Sequence, residues 1–196
     1  MNKILFLDIN GVIEPLSNEK FDLTFDEFEK LNEKLEKEQG INYRKYSKYL
    51  IKSVCYYWDK EALKQLKRIV DKTGAKIVIS SYWKLNGIQA MKDFLAIYNL
   101  GEYVVDVTPD VYRDKIDSKP YERIFKQPIN DRSLEILEYL KTHDKIEDYI
   151  ALDDRNLRPF LDGHFVQPYL VLTKKDADEA IYLLNRDIKK IAKNLI

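Results

Sequence analysis

The chain has 196 residues, enough for one domain with a hydrophobic core and a small insertion, but too few for a second catalytic domain. Lysine plus arginine and aspartate plus glutamate number 33 each, so no overall charge favours nucleic acid or an anionic membrane surface. Cys55 is the only cysteine, which excludes an internal disulfide and a multi-thiolate metal site. Because the sequence has no apolar signal segment and no membrane span, we expect a cytoplasmic protein with no membrane partner.

The first half of the chain alternates buried strands with amphipathic helices. Residues 3–8, KILFLD, are almost all apolar before the aspartate, which predicts a strand buried on both faces in the middle of a parallel sheet. Asp59 is the predicted cap of a helix over about residues 60–73, and Gly74 is its predicted stop. KIVIS is then typical of a second buried strand, which ends at Ser80.

The second half continues the alternation. A helix is predicted over about residues 86–99, followed by a closing glycine and the strand YVVDV. Asp131 is the predicted cap of the next helix, after which the strand DYIAL runs into two acids. HFVQP predicts a short last strand, and Thr173 with Asp176 resembles a capping box for a C-terminal helix through about Leu195.

Strands that alternate with helices in this way predict βαβ units and an α/β fold with a doubly wound parallel sheet. Residues 14–58 do not follow this rhythm and are rich in charge and tyrosine. A small, mainly helical, cap-like insertion after the first strand is therefore expected there. The whole chain, residues 1–196, is then expected to be a single domain.

Four polar residues fall at predicted strand ends: Asp8, Ser80, Asp153 and Asp154. Ligands of doubly wound sheets bind beyond the carboxyl ends of the strands, so these side chains are expected to form one site. The two histidines lack the close pairing of a zinc site, whereas three carboxylates suit a hard cation such as Mg²⁺. Taken singly, Ser80 could instead cap the next turn, and the paired acids could belong to a solvated turn.

The segment FLDINGVI admits three interpretations. Asn10–Gly11 is a strong hairpin signal, and an acidic loop could also bind calcium, although an EF-hand loop has its glycine sixth and Gly11 is fourth from Asp8. In the third, functional interpretation, Asp8 lies at the end of the strand and acts as nucleophile and metal ligand. Gly11 then lets the backbone turn closely around a phosphate.

Together these segments resemble the motifs of the haloacid dehalogenase (HAD) superfamily. Its first motif, an apolar strand followed by Asp-x-Asp-Gly-Val, is matched by LDINGV at every point but one. KIVIS matches its second motif, a strand ending in serine or threonine, and YIALDD matches its fourth, a strand ending in paired acids. The resemblance implies a Rossmann-like fold. It also implies that Mg²⁺ is bound by Asp8, the backbone carbonyl of Asn10, Asp153 and Asp154, and that phosphate is bound by Gly11, Ser80 and Ser81.

More narrowly, the chain resembles the small bacterial branch related to the phosphatase-like domain of Swiss army knife RNA repair proteins. The matching phrases are WDKEALKQLKRIVDKTGAKIVISSYWK, DRSLEILEYLKTHDKIEDYIALDD, and HFVQP with the helix after LTKKDADEA. They cover most of residues 1–14 and 58–185. In that branch an arginine that opens the helix before the acidic pair supplies the third-motif cation, which implies a catalytic, phosphate-binding Arg132 here. Four other cations compete for this role: Lys115, Lys119, Arg123 and Lys126.

Asn10 is the departure from the superfamily pattern. The second aspartate of the first motif protonates the leaving group and later activates water, and asparagine can do neither; losing such a group costs about 10²–10⁴-fold in rate. Three explanations stay open: a natural slow phosphatase, a protein that binds phosphate without hydrolysing it, and an engineered inactivating substitution. Asn10→Asp is expected to raise turnover if the site is otherwise intact.

The leading hypothesis is a Mg²⁺-dependent phosphatase or phosphotransferase that passes through an aspartyl-phosphate on Asp8 and acts on a phosphorylated small molecule or nucleotide. The alternatives are a catalytically impaired phosphate- or nucleotide-binding protein and a phosphatase that processes nucleic-acid ends. The stretch NYRKYSKYLIK at 42–52 interleaves cations with tyrosines, as some single-strand-binding surfaces do, but an amphipathic helix with a hydrated basic face is preferred. Nucleic acid is therefore a possible but not a favoured partner.

Overall fold

The computed structural model describes residues 3–17 and 21–186. Five strands form its centre: β1 Lys3–Leu7, β2 Lys76–Ile79, β3 Val104–Val107, β4 Asp148–Leu152 and β5 Phe165–Val166. They pair in parallel in the order β3-β2-β1-β4-β5. The α-helices are α1 Phe25–Gln39, α2 Lys48–Lys52, α3 Lys60–Thr73, α4 Ile88–Ala96, α5 Lys119–Phe125, α6 Asp131–Thr142, α7 Arg158–Leu161 and α8 Lys174–Asn185.

The first strand is the central one, as its apolar sequence predicts. Leu7 pairs with Ile79 of β2 on one side and with Leu152 of β4 on the other. The chain moves outward from β1 through β2 to β3 and then crosses back to β4, so the strand order reverses next to β1. An all-parallel sheet with helices on both faces confirms the doubly wound α/β fold.

Strand residues alternate between two faces and build two parts of the core. The larger cluster joins Leu5 and Leu7 of β1 with buried residues of β2, β4, α3, α4 and α8. The smaller cluster joins Ile4 and Phe6 with α6 and α7 on the other face. There the rings of Phe6 and Tyr139 meet edge to face, with their centroids 5.5 Å apart. The sheet therefore lies between two packed layers, one on each face.

Helix boundaries largely follow the caps that the sequence indicates. Asp59 accepts a hydrogen bond from the Ala62 amide at 2.8 Å, and α3 ends at Gly74, whose φ is 70°. The cap of α6, however, is Asn130 rather than the predicted Asp131, which is the first helical residue. α4 is shorter than the predicted span of 86–99, because a 3₁₀ turn precedes it and a non-helical turn follows it.

The C-terminal helix begins at the predicted capping box, with reciprocal hydrogen bonds between Thr173 and Asp176. It is described as far as Asn185, and the predicted continuation through Leu195 lies outside the described residues beyond Arg186. None of the helices within the described ranges combines the length and the apolar character needed to cross a bilayer.

The segment after β1 is mainly helical, as expected. α1 starts at a capping box formed by Thr24 and Glu27, and α2 continues into a single π-helical turn, Ser53–Tyr57. The segment leaves and rejoins the α/β layers at neighbouring residues, because the Asp59 amide donates a hydrogen bond to the Ile13 carbonyl at 2.7 Å. It is therefore an excursion between β1 and α3 that leaves the sheet order unchanged.

Candidate functional site

The candidate site lies at the carboxyl edge of the sheet, beyond β1, β2 and β4. The Asp8 amide donates to the Leu152 carbonyl at 3.0 Å, and the Ser80 amide donates to the Leu7 carbonyl at 2.8 Å. These bonds extend the parallel ladders one residue past each strand. They hold Asp8 and Ser80 at the edge where Asp153 follows β4, so the structure brings the predicted strand-end residues together.

Three carboxylates form the centre of the site. One carboxylate oxygen from each of Asp8, Asp153 and Asp154 lies within 4.8 Å of the other two. Asp8 and Asp153 are only 5% and 1% exposed, so their desolvation is severe. An all-oxygen cluster of this size fits the ligand preference of a hard cation such as Mg²⁺ and offers nothing to a soft one. The position of the Asn10 carbonyl as a further ligand stays a prediction.

A buried arginine bridges two of these acids. Arg132 Nη1 lies 3.1 Å from an oxygen of Asp8 and 3.1 Å from an oxygen of Asp153, and its side chain is almost fully buried. Asn130 caps α6, and this cap sets Arg132 in the first turn of the helix, pointing at the site. Burial raises the pKa of both carboxyl groups, while the Arg132 charge acts in the opposite direction.

The four competing cations do not reach the cluster. Within the described residues, Lys115, Lys119, Arg123 and Lys126 are all solvent-exposed, and none forms an ion pair with Asp8 or with the acids after β4. Of the five candidate cations, Arg132 is therefore the one that lies beside the acids, and its role as the third-motif cation stays a prediction.

Two features near Asp8 fit a phosphoryl group. The Ser80 hydroxyl is buried without a hydrogen-bond partner among the described residues, which leaves its O–H for a ligand oxygen. Ser81 lies close enough to Asp8 to oppose the rise that burial causes in the pKa of that carboxyl group. Gly11 has a φ of 76°, and a Cβ added to it would lie 2.6 Å from Cβ of Asp154. Only glycine permits this approach of the loop to the acidic pair.

Glu14 is a site residue that the sequence reasoning missed. It is 7% exposed; its Oε2 accepts from Asn10 Nδ2 at 2.9 Å and its Oε1 accepts from the Ser53 hydroxyl at 2.6 Å. Burial raises the pKa of Glu14, and the two hydrogen bonds act against that rise. A charged residue inside the otherwise apolar run GVIEP was the signal that could have identified it.

A cavity of about 300 Å³ adjoins Arg132 and Ser81. It is lined by the loops that follow β2, β3 and β4 and by the start of α6, and no described residue of 14–58 is among its lining. Exposed rings of Tyr82 and Tyr112 stand at this cavity, and the Arg155 guanidinium lies over the Tyr82 ring at 5.9 Å. Sequence reasoning did not predict this cavity, because its walls come from three separate loops and a helix.

A buried ion pair supports one wall of this cavity. Lys84 Nζ lies 2.7 Å from a carboxylate oxygen of Glu135 and donates to the Pro109 carbonyl at 2.7 Å. Burial lowers the pKa of Lys84, whereas the Glu135 partner favours its charged form. The pair ties the loop after β2 to α6, which carries Arg132.

The cations of the tyrosine-rich stretch are engaged within the fold. Arg44 pairs with Glu29 and Glu36, both at 2.8 Å. Lys45 lies 2.7 Å from Asp93, and Lys48 donates to the Leu23 carbonyl at 3.0 Å and also pairs with Asp22. These cations therefore have intramolecular partners, and the preference against nucleic-acid binding stays a prediction.

Sequence comparison places this geometry in a family. A family model described as the HAD domain in Swiss Army Knife RNA repair proteins matches residues 4–177. No curated protein and no solved structure is similar enough to this chain to count as a match. The match spans all five strands together with the acids, the arginine and both serines. The chain therefore belongs to the HAD domain family of Swiss Army Knife RNA repair proteins.

Proposed function

We propose that this protein is a Mg²⁺-dependent phosphatase or phosphotransferase that works through an aspartyl-phosphate on Asp8. The observation that carries the proposal is the bridge from Arg132 to Asp8 and Asp153, with Asp154 in the same cluster. A buried carboxylate beside a cation and further acids suits phosphoryl transfer, in which positioning and charge stabilisation supply most of the catalysis.

The residues of the site have distinct roles in this proposal. Asp8, Asp153 and Asp154 hold Mg²⁺, with the Asn10 carbonyl as a further ligand, and Arg132 with Ser80 and Ser81 holds the phosphoryl oxygens. When bound, the ion neutralises charge on the phosphoryl group and keeps the nucleophilic carboxylate ionised. The close approach of Gly11 to Asp154 keeps the loop backbone near the phosphate.

In the first chemical step, an oxygen of Asp8 forms a bond to phosphorus while the bond from phosphorus to the leaving oxygen breaks. The leaving oxygen keeps the electron pair and takes its proton from solvent, because Asn10 has no acidic proton to give. In the second step, water or an acceptor hydroxyl attacks phosphorus, the bond to Asp8 breaks, and the attacking group releases its proton to solvent. Both steps lack the acid–base group of the superfamily motif, so slow turnover is expected.

The substrate is a phosphomonoester whose leaving group occupies the cavity beside Arg132. The family name supports phosphorylated substrates, with nucleic-acid ends among them. We also propose that the excursion at 14–58 acts as a cap that influences substrate choice, supported by the contact between Ser53 and Glu14 at the end of the first-motif loop.

A burst experiment tests the nucleophile. An aryl phosphate has a leaving group that needs no acid, so with Mg²⁺ the unmodified protein should release about one equivalent of phenolate quickly and then turn over slowly. Asp8→Asn keeps nearly the same shape and should abolish both phases. A protein that binds Mg²⁺ and phosphate but shows neither burst nor turnover is a binding protein, and the enzyme proposal is then wrong.

Calorimetry tests the metal site. Asp8→Ala combined with Asp153→Ala removes two of the three carboxylates and should abolish measurable Mg²⁺ binding. Asp144→Ala is the matched control, because this exposed acid precedes β4 at the opposite edge of the sheet. Unchanged Mg²⁺ affinity in the double variant would rule out the assigned ligands.

A further inference from the structure

Glu14 has no role in the mechanism described so far, although it is a buried acid at the end of the first-motif loop. Among the described residues no lysine, arginine or histidine forms an ion pair with it. Its two oxygens instead accept from two neutral donors, the Asn10 side-chain amide and the Ser53 hydroxyl. An acid without a cationic partner is costly to bury, so these two hydrogen bonds carry much of its stabilisation.

The bond from Asn10 fixes the orientation of that side chain. A carboxylate only accepts hydrogen bonds, so the NH₂ group of Asn10 must face Glu14, and its Oδ1 must face the other way. The loop is also closed by its backbone, because the Gly11 amide donates to the Glu14 carbonyl at 2.7 Å. Asn10 is exposed, whereas Glu14 is buried beneath it.

We propose that Glu14 is a positioning residue that requires an amide at position 10 and holds it with Oδ1 turned outward as an acceptor. In this arrangement Asn10 and Glu14 are a matched pair. The catalytic part of this inference rests on the proposed function. The pairing itself does not.

The pair qualifies the expectation that Asn10→Asp alone raises turnover. An aspartate at position 10 would place a second carboxylate in hydrogen-bond contact with Glu14, and two such groups cannot both be ionised without repulsion. Adding Glu14→Gln removes this conflict. The glutamine amide introduced by this second substitution can donate to the carboxylate at position 10 and accept from Ser53, which preserves both hydrogen bonds with one direction reversed.

A double-mutant cycle measured by thermal unfolding tests the pair without any assumption about catalysis. The four proteins are the unmodified chain, N10D, E14Q and N10D/E14Q, at neutral pH with a chelator so that no metal screens the acids. N10D should lower Tm by roughly 4 °C or more, and N10D/E14Q should recover most of that loss. E14Q alone should change Tm little, because glutamine keeps an acceptor for Asn10.

The control is N10D combined with E179Q, since Glu179 is an exposed acid on α8. This variant should unfold like N10D, because only the charge at Glu14 matters in the proposed pair. The inference would be overturned if N10D lowered Tm equally in the unmodified protein and in E14Q, or lowered it in neither.

Turnover of an aryl phosphate with Mg²⁺ supplies a readout that a purely structural contact would not change. N10D/E14Q should exceed N10D by about 10-fold or more, because only the double variant has a carboxylate free to exchange protons at position 10. N10D as active as the double variant would overturn the inference. If none of the four proteins reacts, the proposed function fails, and the thermal cycle still decides whether Glu14 and Asn10 are paired.

Discussion

At the scale of single residues, Gly11 brings the loop after β1 close to the Asp154 side chain. Its φ of 76° lies in the left-handed region, and the Cβ of any other residue would lie 2.6–2.7 Å from three atoms of the Asp154 side chain. Gly74, which ends α3, has a similar φ of 70°, but an added Cβ meets nothing within 4 Å. The two glycines thus share a backbone requirement and differ in what surrounds them.

This difference gives a matched pair of substitutions. Gly11→Ala and Gly74→Ala should each cost about 1–2 kcal/mol of unfolding free energy from the left-handed backbone alone. Only Gly11→Ala should also displace Asp154 and weaken Mg²⁺ binding. Denaturant unfolding measures the first effect and calorimetry the second; equal Mg²⁺ affinities for the two variants would contradict the role of Gly11 in shaping the metal site.

At the scale of elements, the excursion at 14–58 is fastened to α4 through Asp93. The Asp93 side chain is 5% exposed; it accepts from the Tyr46 hydroxyl at 2.6 Å and from Gln89 at 2.7 Å, and it pairs with Lys45. Burial alone would raise the pKa of Asp93, but the hydrogen bonds from Lys45, Tyr46 and Gln89 outweigh it, so the pKa lies below its usual value of 3.8.

Asp93→Ala should therefore lower the unfolding free energy by about 2–3 kcal/mol at pH 7, because it removes the charged acceptor that Lys45, Tyr46 and Gln89 share. A carboxyl group with a depressed pKa stabilises the fold above its unfolded pKa and loses that effect as pH falls through its folded pKa. The difference between the two proteins should thus shrink below about pH 4.

Denaturant titrations at pH 7 and pH 3 measure this difference. Glu33→Ala, which changes an exposed acid on α1, is the control and should stay within about 0.5 kcal/mol of the unmodified protein. A deficit for Asp93→Ala that is equal at both pH values would show that the ionised carboxylate is not what fastens the excursion.

Elements whose ends are set by local chemistry could be predicted from the sequence. The caps at Asp59, Gly74 and Thr173 act through hydrogen bonds or backbone angles within a few residues, so their positions agree with the sequence. The start of α6 could not be decided in this way, because Asn130 and Asp131 are both good caps. α4 is shorter than predicted because a 3₁₀ turn precedes it. Lys84 in that turn contacts Pro109 and Glu135, which are distant in the sequence, so local sequence patterns could not predict the turn.

At the scale of the whole molecule, the site was predictable where it depends on sheet topology. Strand ends in a doubly wound sheet meet at one edge, so the order of motifs was enough to bring Asp8 and the acidic pair together. Glu14 and Ser53 were not predictable as partners, because their contact depends on the path of the excursion. The cavity beside Arg132 could not be predicted either, because three separate loops and α6 form it.

Cys55 offers a probe of how tightly the excursion is held against the rest of the molecule. It lies in the π-helical turn, is partly buried, and burial raises its thiol pKa to about 11. Because the thiolate is the reactive form, iodoacetamide at pH 8 should label Cys55 at least about 10-fold more slowly in the native protein than in the unfolded chain. Mass spectrometry of timed samples measures the rates, and native labelling as fast as unfolded labelling would show that the excursion opens readily.

The hydrogen bond between the Asp59 amide and the Ile13 carbonyl bears on how this fold can diverge among relatives. The chain leaves and returns at adjoining points, and each doubling of a flexible loop costs only about 0.6 kcal/mol in closure entropy. Insertions and deletions of many residues can therefore accumulate here during evolution while β1 and α3 keep their places. A replacement segment would still have to present a donor to Glu14, as Ser53 does here, and partners for the Asp93 carboxylate, as Lys45 and Tyr46 do, so these positions are expected to constrain the sequence of the excursion.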